Sequence, residues 1–217
     1  MKSRLTSLLI TLVLSVMLPI AARASTVYDN EADFFAAIGT KITDNYTNPG
    51  YVFVQTDAQM TSVLGETRYE STTFPNNDIV FQNGQQYNYC AGCNGGFNLY
   101  FTSTSLGTSK GVYGVGFLVT INDGSLLAYD LITFGDGSTD LLPMPTQGYF
   151  GITSDKLIAE MQMVDLNGQI PPGDGSWNLA ITDLTIGASP IPEPGSILLL
   201  GSGFVGMVAA LRKKLVS

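Results

Sequence analysis

Histidine is absent from all 217 residues. That excludes Ser-His-Asp and Cys-His nucleophile relays and histidine-ligated zinc. Cysteine is scarce: Cys90 and Cys93 are the only two, in Tyr89-Cys90-Ala91-Gly92-Cys93-Asn94-Gly95-Gly96. Without a second pair, a four-cysteine zinc site cannot form. A thioredoxin-type pair has this C-x-x-C spacing, but it needs a helix N-terminus to lower a thiolate pKa. The flanking glycines favour a loop instead. A small structural disulfide, suited to an oxidising compartment, is the preferred reading.

Positive charge is the next scarcity. Ten Lys and Arg face eighteen Asp and Glu. Six of the ten lie at the two ends: Lys2, Arg4, Arg23, Arg212, Lys213 and Lys214. Between Ser25 and Ile191 only Lys41, Arg68, Lys110 and Lys156 stand against 17 carboxylates, a net charge of −13. Such a surface repels nucleic acid and anionic lipid and keeps an exported domain soluble.

The ends explain the cations. Met1 to Ala24 reads as a signal peptide for signal peptidase. It has a basic start, an apolar run from Leu5 to Leu18 and an Ala22-Arg23-Ala24 cleavage pattern. At the other end come Pro192-Glu193-Pro194, then an uncharged, mostly apolar run from Gly195 to Leu211, then Arg212-Lys213-Lys214. As a helix that run is about 25 Å long, at the short end of what spans a bilayer. The trailing cations mark a cytoplasmic flank. This order resembles the PEP-CTERM sorting signal of Gram-negative bacteria that make exopolysaccharide. The resemblance implies recognition by exosortase, a membrane protease-transpeptidase. It also implies a transient stay at the inner membrane and release to the cell surface or extracellular matrix.

About 165 residues, 25–189, remain for one ectodomain. Asn30 to Ile38 reads as one short helix, capped by Asp29 or Asn30 and followed by Gly39. The rest reads as strand and turn. Candidates are Tyr51–Gln55, Ile79–Gln82, Phe97–Thr102, Val112–Ile121, Leu126–Phe134, Gln147–Thr153, Leu157–Val164 and Trp177–Ile186. In Val112–Ile121 the odd positions from Tyr113 to Ile121 are apolar. Gly114, Gly116 and Thr120 make the other face small, so a neighbour is expected to pack closely over it. Turns are signalled by Asn122-Asp123-Gly124, Gly135-Asp136-Gly137 and Leu166-Asn167-Gly168. The expected fold is all-β, an antiparallel jelly-roll-like sandwich with one short N-terminal helix. The segments GVYGVGFLVTINDG, LITFGDGST, GYFGITSDKLIAEMQM and WNLAITDLTIG, within residues 111–187, resemble the ectodomain that precedes many PEP-CTERM signals. That resemblance implies a sandwich similar to carbohydrate-binding and lectin-like modules.

No residue set points to catalysis. A carboxylate pair for glycoside cleavage is available in any acidic protein, and nothing singles out two of the seventeen. Asp136-Gly137-Ser138-Thr139-Asp140 matches the first half of an EF-hand loop, but Leu141 and Gln147 stand where glycine and glutamate are needed. Calcium is therefore expected only if the fold gathers Asp123, Asp136, Asp165 and Asp183; otherwise no cofactor is expected. The polar, uncharged stretch from Phe81 to Asn98 is the expected binding loop, with Tyr87, Tyr89 and Asn94 in it and Tyr100 beyond it as sugar contacts. The sequence reading is thus a non-enzymatic matrix protein that associates with exopolysaccharide. A secreted glycoside hydrolase and a purely structural surface protein are the alternatives.

Overall fold

The computed structural model describes residues 25–121, 128–165, 167–169 and 178–190. Along them run β1 (Thr26–Tyr28), α1 (Glu31–Ala37), β2 (Lys41–Asp44), β3 (Val54–Gln55), α2 (Asp57–Leu64), β4 (Arg68–Ser71) and β5 (Asp78–Asn83). Then come β6 (Gln86–Ala91), β7 (Phe97–Tyr100), β8 (Val112–Ile121), β9 (Tyr129–Phe134), β10 (Thr139–Pro143), β11 (Gly148–Val164) and β12 (Ala180–Gly187). Expected elements at 1–24, 122–127 and 195–211 lie outside the described residues, as does Trp177. Among the described residues no helix is long and apolar enough to cross a membrane.

Every strand pairing is antiparallel, which agrees with the expected class. The layering differs. Where a jelly roll has two separate sheets, here the strands join into one, in the order β10-β9-β11-β8-β12-β6-β5-β3. The two segments expected at 147–153 and 157–164 are one strand, β11. Its first half pairs with β8 and β1, and its second half with β9 and β7. The change of partners falls where Leu157 has φ 61 and the register shifts between Ile158 and Glu160. A bulge bends its strand and adds twist, so the sheet curls over on itself. It also puts Ile158 in the core, while Leu157 and Ala159 are only half-buried.

The curl encloses one apolar core. Tyr69, Leu99, Ile132 and Met161 from one half meet Val115, Phe117, Phe150, Ile152, Ile181 and Ile186 from the other. Burying each such side chain contributes about 1.5–3 kcal/mol. The alternation of β8 holds from Val115 to Val119, but Val112 joins this core while Tyr113 packs on the opposite side.

The small face of β8 is covered as expected, by α1. Asn30 Oδ1 caps the helix by accepting from the Asp33 amide at 2.9 Å. Phe34 and Ile38 then press onto glycines. A Cβ on Gly114 would sit 2.7 Å from Ile38 Cγ2, and one on Gly151 3.0 Å from Phe34 Cδ2. The second helix, α2, was not expected. It buries only Met60, so no 3.6-residue apolar period announces it. Its ends carry the signal instead. Thr56 and Gln59 form a reciprocal capping box, and Gly65, at φ 72, closes the C-terminus.

Candidate functional site

The far half of the sheet builds a polar outer face. Tyr69, Leu99, Met161 and Ile132 form one cross-strand row on β4, β7, β11 and β9, and all four are buried. Strand residues alternate between faces, so the rows on either side point outward. One is Arg68–Tyr100–Glu160, continued on β9 by Thr133. The other is Glu70–Asn98–Gln162, continued by Leu131.

Tyr100 centres this face. The Arg68 guanidinium lies 3.3 Å from its ring centroid and 3.1 Å from Glu70 Oε2. The Tyr100 hydroxyl donates to Glu70 Oε2 at 2.7 Å and accepts from Asn98 Nδ2 at 3.0 Å. A phenol has one proton, and here Glu70 receives it, so Asn98 must turn its nitrogen to Tyr100. The Asn98 carbonyl oxygen is buried and has no donor among the described residues. Desolvation holds the Glu160 carboxyl above its usual range, an effect the Tyr100 hydroxyl and Arg68 only partly offset and Glu70 reinforces. Desolvation likewise raises the Tyr100 phenol.

A second polar cluster lies inside. Asp44 accepts from the Tyr46 amide at 2.9 Å and from the hydroxyls of Tyr51 and of Tyr69, the latter at 3.2 Å. Both its oxygens are thereby occupied. The adjoining pocket, lined in part by Asp44, Tyr51, Glu66 and Tyr69, has its second carboxylate tied to Ser105 by two 2.7 Å bonds. This arrangement ties β2 and the loop after it to β4 and engages both carboxylates that line the pocket.

The expected loop from Phe81 to Asn98 is mostly a hairpin. β5 turns into β6 through Gly84 at φ 65, with Asn83 opposite Gln86. Glycine at the first turn position is a hairpin signal, and the uncharged composition masked it. Tyr89 is fully buried, bonded to Asp78 Oδ1 at 2.6 Å and packed against Tyr69 and Phe97, so it presents no face to a sugar. Tyr87 and Asn94 are half-buried on and beyond β6, which joins the sheet through β5 and β12. Only Tyr100 of the four stands on the outer face described above; the sequence reading missed its neighbours Arg68, Glu70, Asn98 and Glu160. Cys90 and Cys93 are joined by a disulfide.

The calcium candidates are apart in role. Asp136 closes the β9–β10 turn, accepting from the Ser138 amide at 2.9 Å and pairing with Lys156 at 3.1 Å. The Ser138 hydroxyl and amide, with Lys156, hold its pKa down at about 2. Asp165 accepts from the amides of Asn167 and Gln169, both at 2.8 Å, and the Gln169 bond above all lowers its pKa. Asp183 sits at φ 53 in an irregular part of β12, its pKa raised by desolvation. Asp123 lies outside the described residues. Among the described residues no three Asp, Glu or Cys side chains gather as a metal site.

Pro192-Glu193-Pro194 and Arg212-Lys213-Lys214 also lie outside the described residues. Their assignment rests on comparison. No curated protein matches the chain. Residues 190–214 match the family model of the PEP-CTERM protein-sorting motif. The motif makes this an exported, surface-targeted protein with exosortase as its processing partner. The chain is a PEP-CTERM domain-containing protein.

Proposed function

We propose that the exported domain associates with polysaccharide through the outer face around Tyr100 and does not cleave it. In this reading it waits at the inner membrane by residues 195–211 until exosortase releases it toward the matrix. One observation carries the ligand reading. A half-buried outer stretch of sheet sets an aromatic ring, two carboxylates and two side-chain amides, one of them the buried Asn98, in two adjacent rows. Neighbouring strands of this kind offer rows of acceptors and donors about 4.8 Å apart, close to the length of a sugar ring. Glu70 and Glu160 flank one phenol, which suits hydrogen bonding to hydroxyls more than acid–base catalysis across a glycosidic bond. The test is binding of the processed protein to immobilised polysaccharides, with product analysis on the same samples. Retention that Tyr100→Ala abolishes, with no sugar released, is expected. Released oligosaccharide would favour the hydrolase alternative, and absence of retention the purely structural one.

A further inference from the structure

We infer that the Tyr100 face takes a glycan carrying amino groups, that is, a de-N-acetylated amino sugar. The inference rests on the polysaccharide reading above and narrows it to one ligand chemistry.

The open valences of the face are acceptors. Glu160 forms no ion pair among the described residues: Arg68 pairs with Glu70 at 3.1 Å and only partly offsets the desolvation of Glu160. The Asn98 carbonyl has no donor among the described residues, and the amide cannot be turned around while Tyr100 gives its proton to Glu70. A protonated amine is three donors and no acceptor, which matches these vacancies. An N-acetyl group offers one donor and no charge, and a carboxylate offers no donor.

Arg68 already shows what the place accepts. Its guanidinium covers the Tyr100 ring and bonds a carboxylate on one side of it. Glu160 lies directly opposite Tyr100 on the other neighbouring strand and has no ion pair among the described residues. A sugar ammonium beside Glu160 would add a second cation next to the Tyr100 ring. The Arg68–Glu70 bridge is about half exposed on both sides. Such bridges are weak, so a ligand can displace it at small cost.

The charge of the whole domain points the same way. Of the four cations between Ser25 and Ile191, Lys41 sits over Phe35, Arg68 is paired with Glu70 and Lys156 with Asp136. Against 17 carboxylates, a polyuronate or a sulfated glycan would meet repulsion. A polycationic glycan is steered in, and salt should weaken its binding.

The test compares the processed protein's affinity for glucosamine oligomers, N-acetylglucosamine oligomers of the same length and a polyuronate. The glucosamine oligomers should bind about tenfold more tightly than the acetylated ones, the size of one charge-assisted contact. Glu160→Gln should erase that preference, while Asp155→Asn, which removes the same charge from an exposed position elsewhere, should keep it. Arg68→Gln frees Glu70 and the ring face and should strengthen glucosamine binding. Equal binding of both oligomers would overturn the amine inference and leave the polysaccharide reading standing. Equal losses in Glu160→Gln and Asp155→Asn would reduce it to bulk charge attraction and overturn it as a site. Absence of binding to all three probes would remove both readings.

Discussion

Asp130 is an unpaired carboxyl in the core, and replacing it should stabilise the protein in a pH-dependent way. It shares the inward face of β9 with Ile132 and Phe134 and is completely buried. Neither of its oxygens has a partner among the described residues. Desolvation, the sole cause, drives its pKa well above the usual carboxylate range. The folded state therefore keeps its proton to higher pH than the unfolded chain, whose carboxyl has the ordinary pKa near 3.8. More protons bound in the folded state means stability falls as pH rises, by up to roughly 1.4 kcal/mol per unit. The loss begins near the unfolded pKa and ends at the raised folded pKa. From pH 4 to pH 7 it reaches at most about 4 kcal/mol. Asn has nearly the same shape and no proton to lose. Asp130→Asn should thus be close to neutral at pH 4 and progressively more stable than the parent up to pH 7. Urea unfolding of both proteins from pH 4 to pH 7.5 reads this difference directly. The other shifted carboxyls, Asp44, Asp78, Asp136, Glu160, Asp165 and Asp183, are present in both proteins and cancel. Two parallel stability curves would show that Asp130 is charged or satisfied in solution and refute the argument.

Gly111→Ala should lose about 3 kcal/mol in the same assay, because φ is 119 and the added Cβ would collide with the Ile158 carbonyl. Cys90→Ala should cost about 2 kcal/mol or less, since the disulfide closes a loop between residues only three apart, and thiol titration of exported protein should find no free cysteine. Glu193→Ala should leave folding unchanged while the protein stays full length in the membrane fraction. Replacing Arg212, Lys213 and Lys214 by neutral residues should instead misplace the tail, because the cations that hold it on the cytoplasmic side are gone. Mass spectrometry of the surface and membrane fractions separates the two, and a surface form of the unaltered protein that still ends at Ser217 would contradict sorting.

What could be read along the chain was whatever depends on short spans. The sorting motif is a linear order of tripeptide, apolar run and cations, so it needs no folded neighbour to be recognised. The antiparallel class and most strands followed from alternation between glycine turns, and the small face of β8 announced the packing of α1. α2 escaped because its signal lay in caps rather than in an apolar stripe. The curl of the sheet depends on a bulge at Ile158–Glu160, where one extra residue reverses which side chains point inward. Composition carries no trace of that. The tyrosines divide for the same reason. Tyr89 and Tyr100 are equally polar and equally aromatic in sequence, but pairing puts one in the core and the other on the outer face. Arg68, Tyr100 and Glu160 are separated by 32 and 60 residues in the chain, and only the register of β4, β7 and β11 sets them side by side. Hydrogen-bond register between distant strands is a property of the closed sheet, which no local stretch of this sequence specifies.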